Sequence, residues 1–165
     1  MRLLFIRHAI AVPRGTPGIP DDERPLTPEG EKRFRKAARG LARIAAPPEI
    51  LLTSPLPRAR KTAEIAAQAW GGKVRLRNVP ALAGGTWADL QPVLESYPRK
   101  SIIGLVGHEP HLSHLLAKLI RAREGDRLTF RKGGAALIDL GEDLPAGGTL
   151  LWFIPPRILR KAAEP

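Results

Sequence analysis

The sequence predicts an α/β domain of three layers, a mostly parallel central sheet with helices on both faces and an antiparallel strand pair near the C-terminus. Three observations carry that reading. Apolar runs at residues 3–6, 49–53 and 101–106 have the length of buried strands. Proline-marked helix starts follow them at Thr27-Pro28, Ser54-Pro55 and Glu109-Pro110. The last apolar runs, 135–140 and 149–154, are separated by a glycine-containing turn region at 141–148 rather than by a helix.

The first strand, Leu3-Leu4-Phe5-Ile6, ends in Arg7 and His8, two groups that are costly to bury unpaired. Residues 9–26 carry Pro13, Gly15, Pro17, Gly18, Pro20 and Pro25, which forbid regular structure and mark a long loop. Arg14 and Arg24 in that loop read as solvated charges, with contact to a partner as the other reading. Thr27 is an N-cap and Pro28 a first helical residue; Phe34, Ala37, Ala38, Leu41, Ile44 and Ala45 keep helical spacing until Pro47-Pro48 stops the helix. The second strand, 49–53, runs into a helix opened by Ser54-Pro55, with Arg58 in its first turns, that ends near Trp70-Gly71-Gly72. Residues 74–79 alternate like an edge strand, 87–97 form a short helix, and 101–106 form the most hydrophobic strand. That strand ends in Gly107-His108-Glu109-Pro110 before a helix at 111–121. The remaining apolar runs, 128–130, 135–140 and 149–154, read as strands. A single domain over 1–155 is followed by a loosely held basic tail at 156–165.

With 165 residues the chain has room for one core. Lys and Arg total 27 against 16 Asp and Glu, a formal charge of +11, which draws anions of every class. The basic residues form no long block and only eight residues are aromatic, too few for a base-stacking surface, so nucleic acid is not the expected partner. No run approaches the length of a membrane helix, and the N-terminal apolar stretch is broken by Arg7 and His8, so no secretory signal, no membrane and a cytoplasmic location are expected. Without cysteine there are no disulfides, thiolate nucleophiles or cysteine metal ligands.

Three strands thus end in functional groups: Arg7 and His8, then Ser54 leading to Arg58, then His108. In a parallel sheet those carboxyl ends share one edge, where two imidazoles and two guanidiniums can converge on a phosphoryl group. Four segments in order, Arg7-His8-Ala9, Arg24-Pro25-Leu26-Thr27, Thr53-Ser54-Pro55-Leu56-Pro57-Arg58-Ala59 with Thr62-Ala63, and Val106-Gly107-His108, resemble the histidine phosphatase superfamily, with its phosphoglycerate-mutase-like fold, and within it the SixA-type phosphohistidine phosphatases. The resemblance implies that His8 is the nucleophile and that Arg7, Arg58 and His108 bind the phosphoryl oxygens. The chemistry agrees: a neutral His8 attacks in line, and Arg7, Arg58 and a protonated His108 stabilise the equatorial oxygens, a job that metal ions do elsewhere. No metal and no cofactor are expected.

The chain departs from the family where Pro-Glu-Leu is usual and Pro80-Ala81-Leu82 stands here. Ala81 donates no proton, which disfavours alkoxide leaving groups more than the imidazole of phosphohistidine. Asp89 and Glu109 are candidate substitutes, each against the plainer role of helix-cap or surface carboxylate. His108-Glu109-Pro110-His111 is not a two-turn zinc pattern, because position 112 is Leu; His111 and His114 read as surface or partner-facing groups. Lys132-Gly133-Gly134 reads as a β-turn with an exposed lysine, or as a further cation toward phosphate. The expected function is a metal-independent phosphohistidine phosphatase acting on a phosphotransfer or signalling protein. The alternatives are a broad phosphomonoesterase of small metabolites and a basic phosphate- or nucleic-acid-binding module.

Overall fold

Leu3, Leu4, Phe5 and Ile6 are all fully buried, because their strand lies inside the sheet and meets a hydrophobic layer on each face. A computed structural model of the chain describes residues 1–122, 128–141 and 147–164. Six strands, β1 (Arg2–Arg7), β2 (Ile50–Thr53), β3 (Arg75–Asn78), β4 (Ile102–Gly107), β5 (Ala135–Asp139) and β6 (Thr149–Ile154), form one sheet in the order β3-β2-β4-β1-β5-β6. The first four are parallel; β5 runs antiparallel to β1, and β6 antiparallel to β5. β3 is the exposed edge strand that its alternating pattern predicts.

Successive side chains of β1 point to opposite faces and sort into two cores. Leu4 and Ile6 join Phe34 and Leu41 of α1 (Pro28–Ile44), Ile65 of α2 (Pro57–Ala69) and Leu159 of α6 (Pro156–Ala162). Leu3 and Phe5 join Leu82 of α3 (Ala81–Gly84), Leu90 and Leu94 of α4 (Trp87–Glu95) and Leu112 and Leu116 of α5 (His111–Leu119). This is the three-layer arrangement that the sequence predicts, with helices on both faces of the sheet.

Thr27 caps α1 as its sequence predicts, accepting a hydrogen bond from Gly30 N at 3.0 Å. Three expectations are corrected. α2 begins at Pro57 with Leu56 as its cap, not at Ser54, whose hydroxyl accepts from Leu56 N at 3.2 Å and serves the loop instead. Residues 128–130 form no strand: Phe130 N donates to the Glu109 carboxylate and Phe130 O accepts from Arg7, so its backbone groups are taken by side chains. The stretch expected as a loose tail contains α6, whose Leu159 is buried and whose Leu159 carbonyl lies against Gly40 of α1. Within the expected 141–148 turn, 142–146 lie outside the described residues. The 9–26 loop carries a 3-10 turn at Asp21–Glu23 and a bridge between Ala11 and Leu26.

Candidate active site

Strand register brings the predicted tips together. Arg7 of β1 pairs with Gly107 of β4, and Thr53 of β2 with Val106, so His8, Ser54 and His108 leave the sheet side by side. The backbone continues the ladder by one step, with His8 N donating to Gly107 O at 3.0 Å and Ser54 N to Val106 O at 2.9 Å. Behind His8, Ala9 N donates to Thr62 Oγ1 at 3.0 Å, and the Thr62 hydroxyl donates to the Arg58 carbonyl at 2.6 Å. Thr62 therefore couples the β1 tip to the first turn of α2.

The His8 and His108 rings lie 5.0 Å apart between centroids, and both residues are buried. His8 Nδ1 is 2.8 Å from the Ala9 carbonyl, which can only accept. In the neutral ring Nδ1 therefore carries the proton and Nε2 holds a free lone pair. Burial pushes the His8 pKa down to about 3; the Ala9 hydrogen bond opposes this, while His108, Arg58 and Arg7 add to it. Burial, then Arg58, His111, Arg24 and Arg7, lower His108 to about 4. In the protein alone this ring is neutral near neutral pH, so the protonated His108 expected at the phosphoryl oxygens has to gain its proton together with the ligand. Its Nε2 pairs with Ser54 Oγ at 2.8 Å.

Arg58 is buried and donates through Nη1 to the Asp21 carbonyl at 2.7 Å. Arg7 donates to Phe130 O and lies near Glu109, whose charge partly offsets the lowering of the guanidinium pKa by burial. Among the described residues, four buried side-chain polar atoms lack a hydrogen-bond partner, and three of them are Arg7 Nε, Arg58 Nε and His108 Nδ1. Orphaned polar atoms this concentrated mark a place built for a polar ligand. Two guanidiniums and two imidazoles around one unprotonated nitrogen can hold a tetrahedral oxyanion and present it with a nucleophile.

Sequence reasoning missed the role of Asp21. Its carboxylate accepts from Arg14 at 2.8 Å and from Arg24 at 2.9 Å, and lies 3.9 Å from Arg58, so one side chain gathers three guanidiniums. The bond from Arg14 holds the Asp21 carboxyl down at about 2, with Arg24 contributing. Arg24 is not the solvated loop charge expected: it is buried and donates to Val12 O at 2.7 Å. The signal was present in the adjacency of Asp21-Asp22-Glu23 and Arg24 within a proline-rich loop.

Asp89 and Glu109 are both engaged elsewhere. Asp89 accepts from Thr86 N and Thr86 Oγ1, each at 2.7 Å, which caps α4 and lowers its pKa. Glu109 accepts from the Ser113 hydroxyl and, at 2.7 Å, from Phe130 N. Lys132 is exposed on the predicted turn, yet partial desolvation, Arg7 and Arg24 lower its pKa, and Gly133 N donates to the Arg7 and His8 carbonyls at 3.1 Å. His111 and His114 line a separate cavity of about 300 Å³ beside Trp87. Among the described residues no helix is long and apolar enough to cross a membrane.

Residues 3–101 match the family model described as Histidine phosphatase superfamily (branch 1). An uncharacterized protein of Picosynechococcus sp. is 36% identical over 137 residues, covering 81% of this chain and 82% of the relative. The structure of the protein histidine phosphatase SixA complexed with tungstate superposes with a TM-score of 0.75 at 24% identity, covering 96% of this chain and 99% of that one. The mycobacterial glucosyl-3-phosphoglycerate phosphatase superposes with a TM-score of 0.71 at 17% identity, covering 93% and 98%. Likeness at these identities establishes the fold and leaves the substrate open. With the family model matching residues 3–101, more than half of the chain, and a relative 36% identical over 81% of it, the chain is a phosphatase belonging to the histidine phosphatase superfamily.

Proposed function

We propose that this phosphatase removes the phosphoryl group from a histidine of a phosphotransfer or signalling protein through a phospho-His8 intermediate. The observation that carries the reading is that the family's usual acid position is not acidic here and that both candidate substitutes, Asp89 and Glu109, are held by other partners. Position 81 is alanine, Asp89 closes a helix cap, and Glu109 is doubly bonded. An alkoxide leaving group needs a proton delivered to it, whereas the imidazole of a phosphohistidine takes one from solvent and departs neutral.

His8 Nε2 forms a bond to phosphorus as the bond to the substrate nitrogen breaks. Water then attacks phospho-His8, releasing inorganic phosphate and restoring the neutral ring. Arg7 and Arg58 hold the phosphoryl oxygens, in the role that metal ions fill in other phosphoryl transfers. A dianionic group beside His108 raises its pKa, so binding of the phosphoryl group and protonation of His108 favour each other. The fold shared with a SixA protein that binds tungstate, another tetrahedral oxyanion, supports this reading.

The test is phosphate release, with a chelator present, from a histidine-phosphorylated protein and from an alkyl phosphate. An alkyl ester is needed because nitrophenolate leaves without acid assistance. Rapid release from the protein with feeble ester turnover is expected, and the opposite preference overturns the reading. His8→Ala should lower turnover by about a thousandfold or more.

A further inference from the structure

A groove of about 560 Å³ runs from the catalytic edge across the face between α1, α6 and the 131–134 turn. It starts at Arg7 and Ala9, and beyond them its rim carries Arg33, Arg131, Lys132, Arg157 and Arg160. Six of its lining residues are Arg or Lys and none is Asp or Glu. None of the five rim cations is in an ion pair among the described residues, although other exposed Arg and Lys residues of the chain pair with carboxylates. Arg33 and Arg157 stand near enough to Arg160 to lower its pKa together with burial. Gathering like charges on three separate elements works against folding unless something anionic covers them.

The floor of the groove is apolar, built from Ile10, Phe34, Ala37 and Pro156. An apolar centre within an arginine-rich rim is the anatomy of a protein interface. A subsite for one small anion would instead converge a few buried donors on a point, as Arg7 and Arg58 do. Here Arg33, Arg131, Lys132 and Arg157 are exposed and spread around the rim.

From this we infer that the groove docks an acidic segment of the phosphohistidine-bearing protein, with an apolar side chain seated over Phe34 and carboxylates facing the rim. The inference rests on the proposed function and names the surface that selects the partner. It places the selecting contacts on α1 and α6, outside the residues that handle the phosphoryl group.

The experiment compares the parent with the double charge reversal Arg33→Glu/Arg157→Glu on two substrates at low ionic strength. One is a phosphotransfer domain phosphorylated on its histidine and acidic around it; the other is free phosphohistidine. Both substitutions fall on exposed side chains, and activity on free phosphohistidine reports that the variant is folded. The expected result is a loss of roughly tenfold or more in kcat/KM on the phosphoprotein, carried by KM, with kcat/KM on free phosphohistidine unchanged. Equal losses on both substrates, or no loss on the phosphoprotein, overturn the docking surface while leaving the proposed reaction standing. A parent enzyme that leaves the phosphoprotein intact overturns both.

Discussion

His8 and His108 give up their protons near 3 and 4 in the folded protein, against 6.5 in free histidine. Between those values the unfolded chain binds more protons than the folded one, so stability is fully present above about 6.5 and falls as pH drops toward 4. Each ring contributes a slope of at most about 1.4 kcal/mol per pH unit. Asp21, held near 2, has the depressed carboxylate's sign and adds a loss only below the ordinary carboxyl range. Denaturant unfolding between pH 7 and 4.5 should therefore show a falling midpoint in the parent and a shallower fall in His108→Asn. A flat profile in the parent would show that the rings charge freely in the folded state. Ring NMR gives the same test directly, since neither His8 nor His108 should titrate between pH 5 and 8. The convergence of Arg7, His8 and His108 was legible in the sequence because each stands at the end of an apolar run and strand ends in a parallel sheet share an edge; Arg58 was legible through the proline-marked helix that follows the second run. Arg24 was not legible as a buried group, since its burial depends on the loop folding back to place Asp21 and Val12 O around it. Asp89 keeps the plainer helix-cap role that the Thr86-x-x-Asp89 spacing offers, whereas the engagement of Glu109 with Ser113 and Phe130 is a matter of contacts that spacing does not encode.

At the scale of elements, the 9–26 loop is a wall of the site tied down by side chains. Arg24→Ala removes the donors to Val12 O and to Asp21, and should cost about 1–3 kcal/mol in unfolding free energy. The 3-10 turn that presents the Asp21 carbonyl to Arg58 then loosens, and kcat/KM should fall roughly ten- to hundredfold. A variant with parent-like stability and turnover would show that the loop orders itself without this arginine. The second element with a decisive test is α6. Gly40→Ala in α1 would gain about 1 kcal/mol from helix propensity alone. The added methyl, however, would lie 1.8 Å from the Leu159 carbonyl, and crowding of that kind costs about 1–3 kcal/mol. The clash wins, so equilibrium unfolding should show Gly40→Ala destabilised; a stabilised variant would mean that α6 does not seat there. The sequence hid α6 because its one buried apolar residue, Leu159, lies among prolines and basic residues in a helix of two turns. Residues 128–130 misled for the converse reason: the apolar composition of a strand was present, but Glu109 and Arg7 had claimed the backbone groups that a ladder needs.

At the scale of the whole molecule, the sequence carries a charge of +11, and the catalytic edge concentrates its share of that charge. Arg7 and Arg58 lie inside it beside two neutral imidazoles, Arg24 and Lys132 stand near, and the groove between α1 and α6 continues it outward. A field of this extent acts before contact, raising the rate of encounter with an acidic partner more than it strengthens the bound complex. Raising ionic strength from about 10 mM to 150 mM shortens the screening length from about 30 Å to 8 Å, less than the span of a small domain. Over that range kcat/KM on an acidic histidine-phosphorylated protein should fall by roughly tenfold or more, while kcat stays constant because the chemical step takes place among buried groups that salt screens little. Free phosphohistidine, small enough to feel only the charges at the site itself, should lose less. The ratio of the two kcat/KM values, followed across salt, separates steering by the whole molecule from competition by small anions at His8, which would lower both substrates alike. A ratio that stays constant as salt rises would reduce the basic charge to a matter of solubility and leave partner choice to contacts within the groove.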